Sequence, residues 1–305
     1  MRFFIFIPIL LIILSACQQE ESKPAPAAVD PLNIVTVNYP LYYFAERIGG
    51  EFVNAAFPVP GGIDPAYWTP DEAGVSTFQQ ADLIIANGAK YAKWMEKVSL
   101  PTSRIVNSSI SFENEYVQVK EGVTHSHGPG GEHQHLGYAF TTWLNFKFAV
   151  QQAEAVKDAI IRKLPDQKAA IEANFAQLEK ELSAIDQQMT DIAASLGTAN
   201  LFGSHPVYQY LAAGYNLTIL SEHWEPGQAP SAHQWRHFEK KLAKNPSAIM
   251  LWEDQPLASV ESKLNDSGIR VAVFNPCGNR PESGDFISVM KENLQRLTDS
   301  LSPQM

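Results

Sequence analysis

The chain has 305 residues, of which 45% are hydrophobic and 18% charged, enough for one large domain or two medium ones with real cores. Its formal net charge is −10 and no Lys/Arg-rich run interrupts it, which argues against a nucleic-acid partner. An acidic balance is compatible with a cationic cargo, although many soluble proteins share it.

Arg2 precedes an apolar run from Phe3 to Leu14, too short to cross a bilayer as a helix. The run ends in Leu14-Ser15-Ala16-Cys17, which resembles the lipobox of bacterial lipoproteins. That resemblance implies a signal peptide over 1–16 and a lipidated Cys17, with the protein exported and anchored to a membrane surface on the periplasmic or extracytoplasmic side. An ordinary secretory signal with a chance cysteine is the alternative. Residues 17–31 hold little to bury and read as a flexible tether. With Cys17 lipidated, Cys277 is the one free thiol left to the mature chain, so no intramolecular disulfide is expected.

Leu32 to Asn38 reads as a strand and Tyr39 to Gly50 as a short helix ending in glycine. Phe52 to Val59 is a second strand, Gly61 to Pro65 a loop, and Thr69-Pro70-Asp71-Glu72 a helix start with Pro in the first turn. Asp82 to Gly88 reads as a buried strand that ends in a turn. Strands alternating with helices predict a parallel sheet with crossovers. From 123 to 137 the chain turns Gly- and His-rich, and reads as a mobile loop. A helix is expected from about Asn145 to Leu164.

The stretch from Pro165 to Gly197 dominates the pattern. Ile171, Phe175, Leu178, Leu182, Ile185, Met189, Ile192 and Leu196 recur at steps of three and four, one apolar stripe on an uninterrupted helix. Asp166 is the expected cap and Gly197 the stop, giving a rod of roughly 45 Å. Flanked by α/β pattern on both sides, it reads as a spine joining two lobes; a coiled-coil arm is the alternative. Thereafter strands are expected at 200–203, 217–220, 248–252 and 271–274. The expected helices are at 206–213, 231–244, 257–265 and 285–301. The resulting division is an N-terminal lobe over 32–164, a linking helix over 165–197 and a C-terminal lobe over 198–305.

Several motifs, taken in order, resemble one family. They are Asn38-Tyr39-Pro40-Leu41, Gly62-Ile63-Asp64-Pro65 with Thr69-Pro70, Ala81-Asp82-Leu83-Ile84 with Asn87-Gly88, and the His-rich loop before Thr142-Trp143-Leu144-Asn145. The second half adds Ser204-His205 before Tyr208, Pro230-Ser231 opening a helix, and Glu253 closing a strand. Together they resemble the zinc and manganese group of metal-binding solute receptors of bacterial ABC importers. The resemblance implies an α/β fold of two Rossmann-like lobes with parallel sheets, joined by one long rigid helix and holding metal between them. It also implies an ABC permease as partner, zinc as cargo rather than cofactor, no enzymatic activity, and a monomer.

The departures from the family pattern concern the metal itself. The family's first His falls on Ala66, its second on Thr141 and its carboxylate on Asn275; only the third is kept, as His205. Zinc takes about four N, S or anionic O ligands, and Ala supplies none. A degenerate interlobe site is therefore expected. His125, His127, His133 and His135 form two His-x-His pairs, read as an auxiliary capture loop or alternatively as a solvated segment. Cys277 lies two residues past the lost carboxylate and is either a soft partner for His205 or a small buried residue. Glu253, Asp254 and His223 are further candidates. Tyr67 and Trp68 are expected to fill the space of the lost first His or to wall a larger ligand, with Tyr39, Trp143 and Trp224 extending that wall. No nucleophile–base set or phosphate-cradling loop stands out. Two other functions stay open: a metal-buffering, metallochaperone or adhesion lipoprotein without a permease, and a receptor for a metal chelate.

Overall fold

In the computed structural model, residues 30–119, 124–126, 132–134 and 137–301 are described, the two short stretches as backbone only. The chain from Leu32 onward builds two four-stranded sheets, every pairing in them parallel. The first contains β1 (Leu32–Thr36), β2 (Val53–Ala56), β3 (Leu83–Ala86) and β4 (Ile105–Asn107) in the order β2-β1-β3-β4. Between these strands run α1 (Tyr39–Gly49) and α2 (Glu72–Gln80). The expected apolar runs form β1 and β3 because short β-branched segments buried on both faces suit a parallel sheet. Strand β4 had no sequence signal, being three residues long and half-buried.

Three short strand pieces and a hairpin partner follow: β5 (Gln118–Val119), β6 (Thr124–Ser126), β7 (Glu132–Gln134) and β8 (Gly137–Tyr138). β5 pairs with β8, and β6 with β7, both antiparallel. Within the segment read as a mobile loop, the backbone of 124–126 pairs with that of 132–134 and sets His125 opposite His133.

Helices α3 (Phe146–Lys163) and α4 (Lys168–Leu196) follow. Asn145 caps α3 by accepting from the Lys147 N–H. The buried residues of α4 are the eight of the predicted stripe, and Gly197 ends it at φ 59°. Asp166 is not its cap: Pro165–Gln167 form a 3-10 turn, and the residue at the cap is Gln167, which makes no side-chain capping bond. Pro165 fixes φ and lacks an N–H, which suits the first position of that tight turn.

The second sheet holds β9 (Asn200–Gly203), β10 (Thr218–Ser221), β11 (Ile249–Trp252) and β12 (Arg270–Val273) in the order β10-β9-β11-β12. Its helices are α5 (Gln209–Gly214), α6 (Ala232–Lys244), α7 (Ala258–Asp266) and α8 (Phe286–Leu301). α6 starts with a reciprocal capping box between Ser231 and Gln234.

One apolar core runs through both sheets, drawing on α1, α3, the α4 stripe and α8. A second cluster lies against the second sheet, built from Phe202, Trp224, Trp235, Phe238, Met250 and Trp252. Among the described residues no helix is long and apolar enough to cross a membrane.

Candidate metal site

In each sheet the chain leaves the first strand for one side and crosses to the other side for the third. The loops after those two strands therefore diverge and open a crevice at the carboxyl ends, where α/β sheets bind ligands. In the second sheet the crevice lies between β9 and β11. His205 follows β9 and Glu253 follows β11 directly.

His205 is 1% exposed. Its Nδ1 lies 3.8 Å from Glu253 Oε1 and 4.0 Å from Glu225 Oε1, beyond the reach of an ordinary hydrogen bond of about 3 Å. The His223 ring stands 5.9 Å from the His205 ring, centroid to centroid, at 79°. Backbone pairing puts these residues together. Past the end of β10 the chain stays paired with the β9 end: Glu222 N–H donates to Gly203 O and Trp224 N–H to Ser204 O, both at 2.8 Å. Side chains alternate along such an extended run. Trp224 turns into the second core, 4.8 Å from Trp235 and 4.9 Å from Phe238, which leaves His223 and Glu225 for the His205 side. Gln234, already part of the capping box, donates to His223 O and braces the turn.

Across the crevice stands the loop after β2. Asp64 shapes it: its Oδ1 accepts from Ala66 N–H at 2.9 Å, and its carbonyl accepts from the N–H groups of Tyr67 and Trp68. Burial pushes the Tyr67 phenol up, helped by the charges of Asp64, Glu253 and Glu225, so the ring lies within the field of the carboxylates beside His205. Burial also raises Tyr208 above the usual phenol range, with Glu253 adding to it. Trp68 does not reach the crevice. It packs on Phe78 and Trp94, and only Tyr67 takes the wall position, edge-on to Phe140. Trp224 does not extend that wall either, being 1% exposed in the second core.

The other family positions are committed elsewhere. Ala66 is buried and carries no donor atom. Thr141 donates its hydroxyl to Val207 O at 2.5 Å, tying the loop before α3 to the loop after β9. Asn275 accepts from Cys277 N–H through Oδ1 at 2.6 Å, while its own N–H and carbonyl bind the Asn293 amide. Cys277 is 2% exposed at φ 57°, and its thiol is pushed up to about 12 by burial and then by Asp285. Its Sγ lies 3.9 Å from Asn279 O. Tyr39 is buried, donates its N–H to Gly278 O, and has a phenol raised to about 12, mainly by burial. Trp143 donates to Pro276 O.

Thr141, Glu253, Asp254, Asn275 and Cys277 all line one cavity of about 570 Å³, with Asp64 opposite. Glu225 was missed by sequence reasoning, and no motif marks it. His127, His135 and Cys17 lie outside the described residues, as do the side chains of His125 and His133. Among the described residues no group of three or more His, Cys, Asp or Glu could hold a metal ion.

The family model "Zinc-uptake complex component A periplasmic" matches residues 34–300. Among curated proteins, the zinc-binding lipoprotein AdcA of Streptococcus pneumoniae serotype 4 is 26% identical over 96% of this chain and 60% of its own length. The high-affinity zinc uptake system protein ZnuA of Bacillus subtilis is 25% identical over 95% of this chain and 94% of its own. This chain therefore spans about three-fifths of the AdcA length and nearly all of the Bacillus protein. Among solved structures, Zn(II)-bound AdcA from Streptococcus pneumoniae superposes with a TM-score of 0.75 at 22% identity, covering 89% of this chain and 58% of that one. The metal-dependent lipoprotein YcdH from Bacillus subtilis gives 0.74 at 21%, covering 88% and 99%. These likenesses show the α/β fold with parallel sheets that the resemblance implied.

Proposed function

The chain belongs to the periplasmic zinc-uptake component A family, and on that premise we propose that it is the solute-binding component of a divalent-metal ABC importer, with zinc as cargo. The observation that carries the reading is His205: a buried imidazole at a strand-end crevice with two carboxylate oxygens near its Nδ1. A buried imidazole beside carboxylates offers a borderline-hard donor set suited to a divalent transition ion, which the two negative charges neutralise. Cys17 anchors the chain to a membrane, 17–31 is the tether, and an ABC permease receives the ion from a monomeric receptor. His125, His127, His133 and His135 act as the outer capture loop.

Calorimetric zinc titration of the chain lacking residues 1–17 tests this, alongside a form also lacking 125–135 and a His205→Ala variant. Binding that survives loop removal but falls with His205→Ala supports the reading. Binding that disappears with the loop alone refutes a cleft site and favours a second reading, a metal-buffering lipoprotein without a permease. The commitment of positions 66, 141 and 275 to packing and backbone bonds is the observation on that side.

A further inference from the structure

We infer that the crevice takes zinc as the complex of a small polycarboxylate chelator, and that Arg280 holds a carboxylate of that chelator. This rests on the reading above and deepens it by naming the form in which the cargo arrives.

Size comes first. The cavity lined by Thr141, Asn275 and Glu253 measures about 570 Å³. A zinc ion with a full shell of oxygen ligands at about 2.1 Å fills only about 200 Å³. Cavities of several hundred Å³ suit an organic ligand. Donor chemistry points the same way. Ala66 carries no donor atom, the Thr141 hydroxyl is given to Val207 O, and Asn275 Oδ1 is taken by the Cys277 N–H. A chelator brings oxygen donors of its own, and these stand in for what the three positions do not supply.

Charge in the cavity falls into two regions. Glu253 and Asp254, just past β11, line it together with Asp64 and suit a cation. Arg280, in the loop after β12, lines it as well. Its guanidinium carbon lies 4.1 Å from the Tyr42 ring centroid, 5.8 Å from that of Phe57 and 6.0 Å from that of Tyr39. A guanidinium laid on aromatic rings keeps its N–H groups in its own plane, where their fork matches a carboxylate. Asn279 fixes the loop that carries it. Its Nδ2 donates to Pro60 O at 2.8 Å and Ile63 O at 2.7 Å, and its Oδ1 accepts from the Arg280 N–H at 2.6 Å. An anchor ordered in advance costs little to engage. Arg296 lines the cavity too, but it is ion-paired with Glu292 at 3.1 Å. A carboxylate at Arg280 and a metal ion toward Glu253 and Asp254 describe one ligand with two poles. A metal–polycarboxylate complex has that form and a bare cation does not.

The test uses the full-length chain in detergent micelles with the four loop histidines replaced by alanine, and zinc–citrate as the probe. Calorimetry compares zinc alone, citrate alone and their 1:1 complex. The complex should bind at least tenfold more tightly than zinc alone. Arg280→Gln should remove most of that preference while leaving zinc alone within threefold, and Arg280→Lys should restore part of it. Citrate that merely competes with the chain for zinc overturns the chelate and leaves the importer reading intact. A preference that survives Arg280→Gln overturns the anchor. Citrate alone binding as tightly as the complex overturns the metal complex as the ligand. Absence of binding by both zinc and the complex overturns the importer reading along with this one. The sign of the citrate effect on the parent decides the matter even where Arg280→Gln does not fold.

Discussion

Asn87→Ala separates the scaffold of the crevice from His205. Asn87 is 1% exposed and joins the strand ends of the first sheet. Its Oδ1 accepts from Asn38 Nδ2 at 3.0 Å, Gln152 Nε2 at 3.2 Å and Thr142 Oγ1 at 3.3 Å, and its Nδ2 donates to Phe140 O at 2.9 Å. Gln152 keeps a second acceptor in Ser108 Oγ, and Thr142 keeps Gln152 Oε1, so those two are not stranded. The Asn38 side-chain amide, buried at the α1 cap, loses its acceptor. One stranded buried donor costs about 1–3 kcal/mol, and the lost bond to Phe140 O adds about 1. The expected loss is therefore about 3 kcal/mol, read as a lower urea midpoint at unchanged slope. Zinc affinity, measured where the variant is still folded, should move less than threefold, because His205 stands on the other sheet. A stability loss under 1 kcal/mol would refute the network argument. A tenfold loss of zinc affinity would refute the independence of His205 from the first sheet.

Leu182→Ala, in the middle of the α4 stripe and fully buried, should cost about 3–4 kcal/mol in chemical unfolding; a loss below 1 would show that the stripe is loosely packed. The Cys277 thiol is raised to about 12 in the folded chain against 9.0 for the free group. The unfolded chain therefore releases this proton first as pH rises, and stability present below pH 9 is lost toward pH 12 at up to about 1.4 kcal/mol per pH unit. Cys277→Ala should flatten that fall by the same amount, and identical alkaline profiles would refute the assignment. Zinc should change tryptophan emission, and Trp224→Phe should remove most of the change, since Trp224 lies between His223 and Glu225; an undiminished signal would place the ion elsewhere.

The long helix was legible because a stripe of eight apolar residues at three-and-four spacing has no other way to be buried, and all eight are. Strands β1, β3, β9 and β11 were legible as short apolar runs bounded by turns. Strand β4 was not, since its burial is partial and its neighbours are polar. Asp166 misled because a residue that can cap says nothing about whether a proline-led 3-10 turn will take its place. At the site, His205 came from its motif. His223 was a candidate without a motif and Glu225 gave no signal, because their nearness to His205 arises from pairing between the extensions of β9 and β10. Trp68 and Trp224 were placed in the cleft when tertiary packing takes them into apolar clusters. Residues just past β9, β10 and β11 converge because those three strands are neighbours in the sheet.

The shared core bears on how this chain is made. Tyr43 and Phe44 of α1 pack on Phe286, and Tyr39 N–H is bonded to Gly278 O. The face laid down by the earliest strands is therefore completed by residues more than 230 positions further along the chain. Contacts spanning more than 230 positions cannot form while the chain is still being threaded. The half that emerges first stays an unfinished surface, exposed to chaperones and proteases, until α8 arrives to close it.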